Sequence, residues 1–313
     1  MGQKKNYRVE NWKEYNKSLI SRGNLTLWFS DDMQSSWYAK PGKTRTAGRP
    51  LRYSHRCIEV ALTLRSLFRF PLRATQGFLE GLVTMLKLDL KVPHYSRLSR
   101  RAAGLEVQFY SKKSSKNPTD IVVDSTGLKI YGEGEWKMRT HGKQKRRTWR
   151  KLHIAINPDG FEVIALELTQ ANVHDDSVMP KLLQNQTITG KVYADGAYIS
   201  KTCFDSIAAT GGEAAIALRT GTGIVKKDPT PGQKLRNKLV QEIRDSGGKV
   251  AWKKSSTYHK RSLVETEMFR FKTILGGGLS SRLPANQIAE AKIKVLILNK
   301  MSRIGMPQSH PVT

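Results

Sequence analysis

Hydrophobic side chains recur at helical spacing in the first third of the chain, after a polar and basic start. Cys57, Ala61, Leu64 and Phe68 are spaced i, i+4, i+7 and i+11, which places them on one face of a helix. Pro71 stands where a second helix could begin, because proline suits the first helical turn. The predicted buried face of that second helix carries Phe78, Leu82 and Met85, widened by Leu79, Val83 and Leu86.

A third short segment, residues 94–105, carries basic side chains in place of an apolar stripe. Arg97, Arg100 and Arg101 are spaced i, i+3 and i+4, so a helix would present three guanidinium groups on one side. The position of this segment after two apolar helices predicts an all-α helix-turn-helix DNA-binding domain over residues 54–110. The alternative is an ordinary solvated basic face on a small helical bundle.

The pattern becomes that of strands after a lysine-rich linker at residues 111–117. Residues 121–131 form an apolar run typical of a buried strand, and residues 161–170 alternate between apolar and polar. Three strands followed by alternating helices and strands predict an α/β layer fold. The strands are predicted at residues 121–131, 149–156, 161–170, 191–194 and 213–218, with helices at residues 174–186 and 200–210.

A segment rich in glycine, lysine and proline interrupts this alternation at residues 219–256, and we interpret it as an insertion with one basic helix. A long helix follows at residues 259–275, and Gly276 ends it. The predicted organisation is therefore a basic arm and linker over residues 1–53 with one helix near residues 11–22, the helical domain, an α/β domain over residues 117–300, and a tail over residues 301–313.

Charge indicates the class of partner. The chain has 54 Lys and Arg against 26 Asp and Glu, a formal net charge of +28. An excess of this size favours a polyanion, either nucleic acid or an anionic membrane surface. No stretch approaches the roughly 18 consecutive apolar residues of a membrane span, so nucleic acid is the predicted partner. Residues 151–200 alone are acidic on balance, which suits a site for divalent cations beside DNA.

Cysteine content indicates the cellular compartment. Cys57 and Cys203 are far apart, and neither zinc-ligand spacing nor a disulfide framework is present in the sequence. The start of the chain is too polar for a signal peptide. These features predict a reduced, cytoplasmic protein, associated with the nucleoid through its DNA partner.

Two aspartates are candidates for the chemistry. Asp124 lies inside a buried strand, where a carboxylate is costly unless it is paired or bound to a metal ion. The alternative is a strand-end aspartate that caps a turn. Asp195 ends the short apolar segment at residues 192–194 and precedes Gly196, and Asp-Gly between apolar residues is also a hairpin signal. Neither aspartate is convincing alone.

The helix at residues 259–275 supplies a third carboxylate, Glu265. At 100° per residue, Tyr258, Arg261 and Lys272 share with Glu265 an arc of about 60°. Glu265 borders the apolar stripe, where a side chain can reach the edge of a sheet. An exposed Arg261–Glu265 ion pair is the alternative, but it does not explain the alignment of Tyr258 and Lys272. The apolar stripe itself consists of Val264, Met268, Phe271 and Leu275.

These residues resemble a known family. Tyr258-x2-Arg261-x3-Glu265-x6-Lys272 matches the Tyr/Arg/Glu/Lys signature of bacterial insertion-sequence DDE transposases. The segments 124–127 and 194–198, which hold the two aspartates, match as well, and so do segments 71–77 and 95–101. The resemblance covers nearly the full length and is to the insertion sequence five family.

The resemblance implies a ribonuclease-H-like catalytic domain in which Asp124, Asp195 and Glu265 meet at one sheet edge. It implies two Mg²⁺ ions, with Mn²⁺ as a substitute, held by these three carboxylates for DNA cleavage and strand transfer. Tyr258, Arg261 and Lys272 would contact DNA. The basic run at residues 141–149, interpreted as a phosphate-holding loop, adds Lys143, Lys145, Arg146 and Arg147 to the predicted DNA contacts.

Several nearby residues are interpreted as structural. Asp175 and Asp176 sit where a helix should begin and suit its N-terminal turn. Glu267 points away from Arg261, and His153 lies on a strand face. Trp252 is interpreted as a core residue, with stacking on an unpaired base as the alternative.

The predicted function is a transposase that binds the terminal inverted repeats of its element and joins them to target DNA. Synapsis of two ends implies a homodimer or a higher oligomer. Two alternatives stay open. One is a structure-selective nuclease of the same fold, and the other is a transposon-end-binding repressor without catalysis.

Overall fold

The computed structural model describes residues 6–30, 33–40, 51–109, 120–130, 149–184 and 186–312. The chain forms two compact units, one from residues 1–107 and 296–313, the other from residues 108–295. No helix in the described part of the chain is long and apolar enough to cross a membrane.

The first unit contains three helices where the sequence predicted them, α3 (His55–Phe68), α4 (Leu72–Met85) and α5 (Tyr95–Ala102). The Ser54 hydroxyl caps α3 by accepting from the Cys57 amide. Cys57 and Leu64 are fully buried, but Phe68, at the end of the predicted stripe, is 46% exposed.

The buried face of α4 differs from the predicted one. Leu79, Leu82 and Val83 are buried, whereas Met85 is 69% exposed and Phe78 is only partly buried. The reason is that α4 packs against both α3 and α5, so the row through Thr75 and Leu79 turns inward. Three of the six predicted apolar positions are therefore buried, and Leu86 lies just past the end of α4 and is 47% exposed.

The N-terminal segment has more structure than the predicted single helix. β1 (Asn6–Val9) pairs antiparallel with β8 (Ser309–Val312), and the helix at the start is α1 (Trp12–Arg22), followed by the short α2 (Met33–Ser36). Trp37 is fully buried, and its indole N–H donates to the Lys91 carbonyl at 2.9 Å. The sequence pattern did not predict β1, because the strand that pairs with it, β8, lies at the other end of the sequence.

The second unit is built on a mixed sheet with strand order β4-β3-β2-β5-β6, and β7 also pairs with β2. Strands β2, β3 and β4 are antiparallel, and β2, β5 and β6 are parallel. All five predicted strands are present, which confirms the α/β layer fold. The strands are β2 (Ile121–Ile130), β3 (Trp149–Asn157), β4 (Glu162–Gln170), β5 (Lys191–Ala194), β6 (Glu213–Ile216) and β7 (Gly278–Leu279).

The connection after β4 corrects one predicted helix. Residues 174–186 were expected to be helical, but α6 covers only Met179–Leu183. Pro180 lies in its first turn, where proline favours a helix start, so residues 174–178 form turns before the helix. Asp175 and Asp176 are therefore not in its N-terminal turn. The next helix, α7 (Lys201–Thr210), agrees with the prediction.

The segment at residues 219–256 holds two helices where one was predicted, α8 (Pro231–Asp245) and α9 (Lys249–Ser255). Leu239, Val240 and Trp252 from these helices join the core formed by β2, β5, β6 and α7. Trp252 is thus a core residue, as interpreted. The later helices are α10 (Ser262–Leu275) and α11 (Pro284–Ile304), preceded by a 3-10 helix at Thr257–Arg261.

Candidate active site

Asp124 occupies the position in β2 just past its pairing with β5. β5 pairs with Ile121 and Val122, and Asp124 follows two residues later with a side chain that is 18% exposed. Its Oδ1 accepts from the Ser125 amide at 2.7 Å. Burial raises the pKa of Asp124, and the nearby charge of Asp195 adds to this rise. The central strand β2 therefore holds a partly desolvated carboxylate just past the end of its pairing with β5.

Asp195 directly follows β5, the strand beside β2. Its Oδ1 accepts from the Ala197 amide at 2.8 Å, and its carbonyl accepts from the Tyr198 amide at 3.2 Å. The turn leads into α7, and β5 and β6 are parallel, so the Asp-Gly pair does not form a hairpin. Parallel neighbours β2 and β5 bring the two aspartates into electrostatic range of each other.

Arg261 connects Asp124 to Glu265. Its Nη1 lies 3.6 Å from Asp124 Oδ2, and its Nη2 pairs with Glu265 Oε1. The Glu265 side chain is 55% exposed. The i, i+4 ion pair that was an alternative from the sequence is therefore formed, and the same guanidinium also reaches the strand aspartate. The positively charged Arg261 guanidinium thus lies between Asp124 and Glu265, two of the three predicted metal ligands.

Tyr258 and Lys272 lie on either side of this pair. The Tyr258 hydroxyl donates to the Ala194 carbonyl at 3.2 Å. The centres of the Tyr258 and Trp252 rings are 5.2 Å apart. Lys272 Nζ donates to Thr126 Oγ1 at 2.6 Å. Tyr258 thus contacts the residue before Asp195, and Lys272 contacts the residue two past Asp124.

The local backbone differs from the continuous helix predicted from residue 259. Tyr258 and Arg261 belong to the 3-10 helix at Thr257–Arg261, and α10 begins at Ser262. A 3-10 helix has about three residues per turn, so residues i and i+3 eclipse each other. Tyr258 and Arg261 therefore face the same side, but through 3-10 winding and not through the continuous α-helix that the sequence predicted.

Comparison with known families decides what this arrangement belongs to. A family model described as a transposase DDE domain matches residues 115–300. A second model with the same description matches residues 20–133. The chain belongs to the transposase DDE domain family. It is a DNA-cleaving and strand-transferring enzyme, and its mixed sheet fits a ribonuclease-H-like DDE domain.

DDE transposase domains use divalent metal ions, so the fit of the residues to such an ion can be assessed. Asp124 and Asp195 offer carboxylate oxygens, which suit hard cations, and burial is the main cause of the raised pKa of Asp124, with the charges of Asp195 and Asp175 adding to it. The Arg261 guanidinium stands in for one between Asp124 and Glu265. The donor chemistry therefore fits.

The three predicted metal ligands, Asp124, Asp195 and Glu265, do not form one cluster among the described residues. Within the described ranges, no group of three or more His, Cys, Asp or Glu side chains is close enough to hold a metal ion. Two aspartates approach each other, and Glu265 points to Arg261 instead. The expected three-carboxylate cluster is not assembled among the described residues, because Glu265 is paired with Arg261, four residues earlier in the chain.

A fourth carboxylate, Asp175, influences the same site, although the sequence predicted it in the N-terminal turn of a helix. Asp175 adds to the rise in the pKa of Asp124, and its charge also acts on the buried Tyr198 hydroxyl, together with those of Asp124 and Asp195. Lys151 Nζ lies 3.3 Å from Asp175 Oδ1, and His153 Nδ1 lies 3.4 Å from the same oxygen. The acidic character of residues 151–200 was the signal for this group.

His153 is neutral in this arrangement. His153 Nε2 forms a hydrogen bond with Thr169 Oγ1 at 2.9 Å. The ring is fully buried, and burial lowers the pKa of His153 to about 4. Lys151, rather than His153, therefore neutralises Asp175.

The predicted DNA contacts in the first unit separate into two groups. Arg101 Nη1 donates to the Tyr53 carbonyl at 3.0 Å, and the Arg97 guanidinium lies 5.5 Å from the centre of the Tyr53 ring. Arg100 is exposed to solvent. Two of the three arginines thus contact Tyr53 and hold α5 in place. Lys143, Lys145, Arg146 and Arg147 lie outside the described residues.

Proposed function

We propose that this transposase mobilises an insertion sequence of the insertion sequence five group, using Asp124, Asp195 and Glu265 to cut the element's ends and join them to target DNA. The observation that supports this most strongly is the link from Asp124 through Arg261 to Glu265, with Asp195 on the neighbouring strand. Residues that are 141 positions apart in sequence share one guanidinium. A lone strand aspartate or a lone surface ion pair does not account for this link.

The aspartates act as oxygen ligands. The Ser125 and Ala197 amides each donate to one oxygen of an aspartate, at 2.7 and 2.8 Å, which restricts the orientation of each carboxylate. When bound, two Mg²⁺ ions would activate the attacking hydroxyl and stabilise the departing 3′ oxygen. Partial burial of Asp124 lowers the local dielectric constant and so strengthens its attraction for cations.

Arg261 and Lys272 are proposed to turn to DNA once substrate enters. Glu265 is released as a ligand when Arg261 leaves it for a phosphate oxygen, a partner with which guanidinium forms strong bidentate pairs. Lys272 lies on α10, as Glu265 does, and can neutralise a second phosphate oxygen. Tyr258 was proposed as a backbone contact, but its bond to the Ala194 carbonyl favours a role in holding the strand end that carries Asp195.

The proposed substrate is double-stranded DNA, first the terminal inverted repeats and then the target. The formal net charge of +28 suits a partner that carries many phosphates. The helices over residues 54–110 are proposed to bind the repeats as a helix-turn-helix domain. Two ends must be held at once, so the active form is proposed to be a homodimer or a higher oligomer.

The test uses end-labelled DNA that carries an element end, incubated with the full chain and Mg²⁺. Wild type is expected to produce nicked and joined products. Asp124→Asn, Asp195→Asn and Glu265→Gln should each abolish both products yet retain binding in a gel shift. Asp245→Asn changes an exposed carboxylate that accepts a hydrogen bond from Gln241 Nε2 at 2.7 Å, and this control variant should cleave normally.

The outcomes separate the alternatives. Cutting without any joined product would indicate a structure-selective nuclease. Binding without cutting by wild type would indicate an end-binding repressor. If Glu265→Gln cleaves like wild type, the assignment of the third carboxylate is wrong.

A further inference from the structure

A surface cleft in the first unit lies between the start of α4 and one face of α5. Its lining includes the first residues of α4 and five polar side chains. None of these has a role in the catalytic site. The polar residues that line it are Arg73, Tyr95, Ser96, Ser99 and Arg100.

Arg73 is held in place at this cleft by an aromatic ring. Its guanidinium carbon lies 4.6 Å from the centre of the Tyr95 ring, and its Nη2 donates to the Tyr95 hydroxyl at 3.5 Å. The Tyr95 amide in turn donates to Gln76 Oε1 at 2.8 Å, which ties the start of α5 to α4. Stacking on Tyr95 restricts the rotamers of Arg73, so less conformational entropy is lost on binding.

The cleft is positively charged and carries no acidic side chain in its lining. The nearest acid on α4, Glu80, accepts a hydrogen bond from Gln76 Nε2 at 2.8 Å. Within the described part of the chain, neither Arg73 nor Arg100 forms an ion pair. Arg97 and Arg101, on the same helix as Arg100, instead contact Tyr53.

Two serines add polar side chains to the cleft beside the arginines, and the Ser96 hydroxyl is hydrogen-bonded to His94 Nδ1 at 2.9 Å. Ser96 and Ser99 lie on the same face of α5 as Arg100, at i, i+3 and i+4. Hydroxyl and guanidinium donors are the groups that most often contact DNA phosphates. The start of α4 adds to this character, because its N-cap is Pro71, which offers no side-chain cap to the first-turn amides.

We propose that this cleft binds the sugar-phosphate backbone of duplex DNA, with Arg73 and Arg100 as the two phosphate contacts. The inference rests on the proposed function of residues 54–110 as the DNA-binding domain and identifies which surface of it meets DNA. Arg97 and Arg101 are assigned to holding α5 on Tyr53. Charge complementarity is what selects DNA, since the family acts on DNA and the cleft presents only cationic and neutral donors.

The test measures binding of the full chain to a fluorescent duplex of arbitrary sequence across a salt series, because phosphate contacts are independent of sequence. Each phosphate contact contributes about 0.9 to the slope of log K against log salt. The double variant Arg73→Gln/Arg100→Gln should therefore lower that slope by about 1.8. Between 50 and 200 mM salt its affinity should fall about twelvefold less than that of wild type.

Matched variants control for charge and folding. Arg56→Gln removes one exposed charge from α3 outside the cleft and should leave the slope as in wild type. Arg73→Lys/Arg100→Lys keeps both charges and should restore it. Arg101→Gln should lower the melting temperature, because it removes the bond to the Tyr53 carbonyl, and should keep the slope.

The result that overturns the proposal is a double variant with the wild-type slope and affinity. Failure of the proposed function is a different result, in which wild type itself does not bind the duplex. A slope lowered equally by Arg56→Gln would show a general charge effect and would also overturn the assignment. Binding of an acidic protein partner in place of DNA would appear as wild-type DNA binding by the double variant.

Discussion

The Arg261 guanidinium lies 3.6 Å from the Asp124 carboxylate while it also pairs with Glu265 four residues along its own chain segment. A strand aspartate and a helix glutamate are thereby joined by one side chain. This relationship gives the Tyr/Arg/Glu/Lys signature a physical meaning, since its arginine is the member that contacts both carboxylates.

Arg261→Gln is expected to separate metal binding from catalysis. Without the guanidinium, Asp124 and Glu265 lose a competing cation, so Mn²⁺ binding measured by electron paramagnetic resonance should be as tight as in wild type or tighter. Cleavage should fall on the order of tenfold or more, because one charge-assisted contact to phosphate is lost. A variant that loses Mn²⁺ binding would show that Arg261 supports the ligands instead of competing with the metal.

Tyr258→Phe tests the role of the tyrosine hydroxyl. The change keeps the ring against Trp252 and removes the bond to the Ala194 carbonyl, so the free energy of unfolding should fall by about 1 kcal/mol. Cleavage should fall because the strand end before Asp195 is held less firmly, and DNA affinity should be unchanged. Chemical denaturation and anisotropy measure the two effects. Unchanged stability with weaker DNA binding would instead support a direct phosphate contact.

The pH dependence of stability should carry the signature of Asp124. Its pKa is raised in the folded state, mainly by burial, so folding favours the protonated acid. The associated stability is present at low pH and is lost as pH rises through the folded pKa. In EDTA, Asp124→Asn should therefore gain melting temperature relative to wild type as pH rises from 4 to 7. A difference between the two proteins that stays constant with pH would contradict this.

His153 should impose the opposite dependence. Its folded pKa of about 4 lies below its ordinary 6.5, so the neutral ring is favoured in the folded protein. The stability linked to it is present above pH 6.5 and is lost as pH falls towards 4. Melting curves of His153→Asn should show a weaker acid-induced loss than wild type. His174→Asn alters an exposed histidine and should leave the acid-induced loss unchanged.

Glu265 and Glu267 should behave as opposites. Glu267 is fully buried and pairs with Arg270 at 2.5 Å, so Glu267→Gln should lower the free energy of unfolding by about 3–5 kcal/mol. Glu265→Gln changes a half-exposed side chain and should abolish cleavage at nearly wild-type stability. Thermal melting and the cleavage assay together check both. If Glu267→Gln folds stably but cannot cleave, the buried glutamate is the catalytic one.

Local periodicity was sufficient for much of the second unit. All four residues of the stripe Val264, Met268, Phe271 and Leu275 are buried, and the five strands fall where alternation or apolar runs placed them. Such patterns are informative because each residue's face is set by its own element. The same logic failed at residues 174–186, where a proline moved the start of the helix.

Long-range partners were decided by the tertiary structure. Tyr53 contacts Arg97 and Arg101 but not Arg100, and the Tyr258 hydroxyl meets the Ala194 carbonyl. Asp175 came beside the aspartates because β3 presents Lys151 and His153 to it. The spacing of these residues along the sequence predicts none of these contacts.

What the sequence determined by itself is the set of groups able to do the chemistry, together with the face of the element on which each one lies. Which of those groups meet is a property of the packed sheet and helices. A carboxylate's partner is chosen by the element packed against it, and that choice depends on contacts between residues more than a hundred positions apart. Arg261 could be aligned with Glu265 from spacing alone, but only the fold brought it to Asp124.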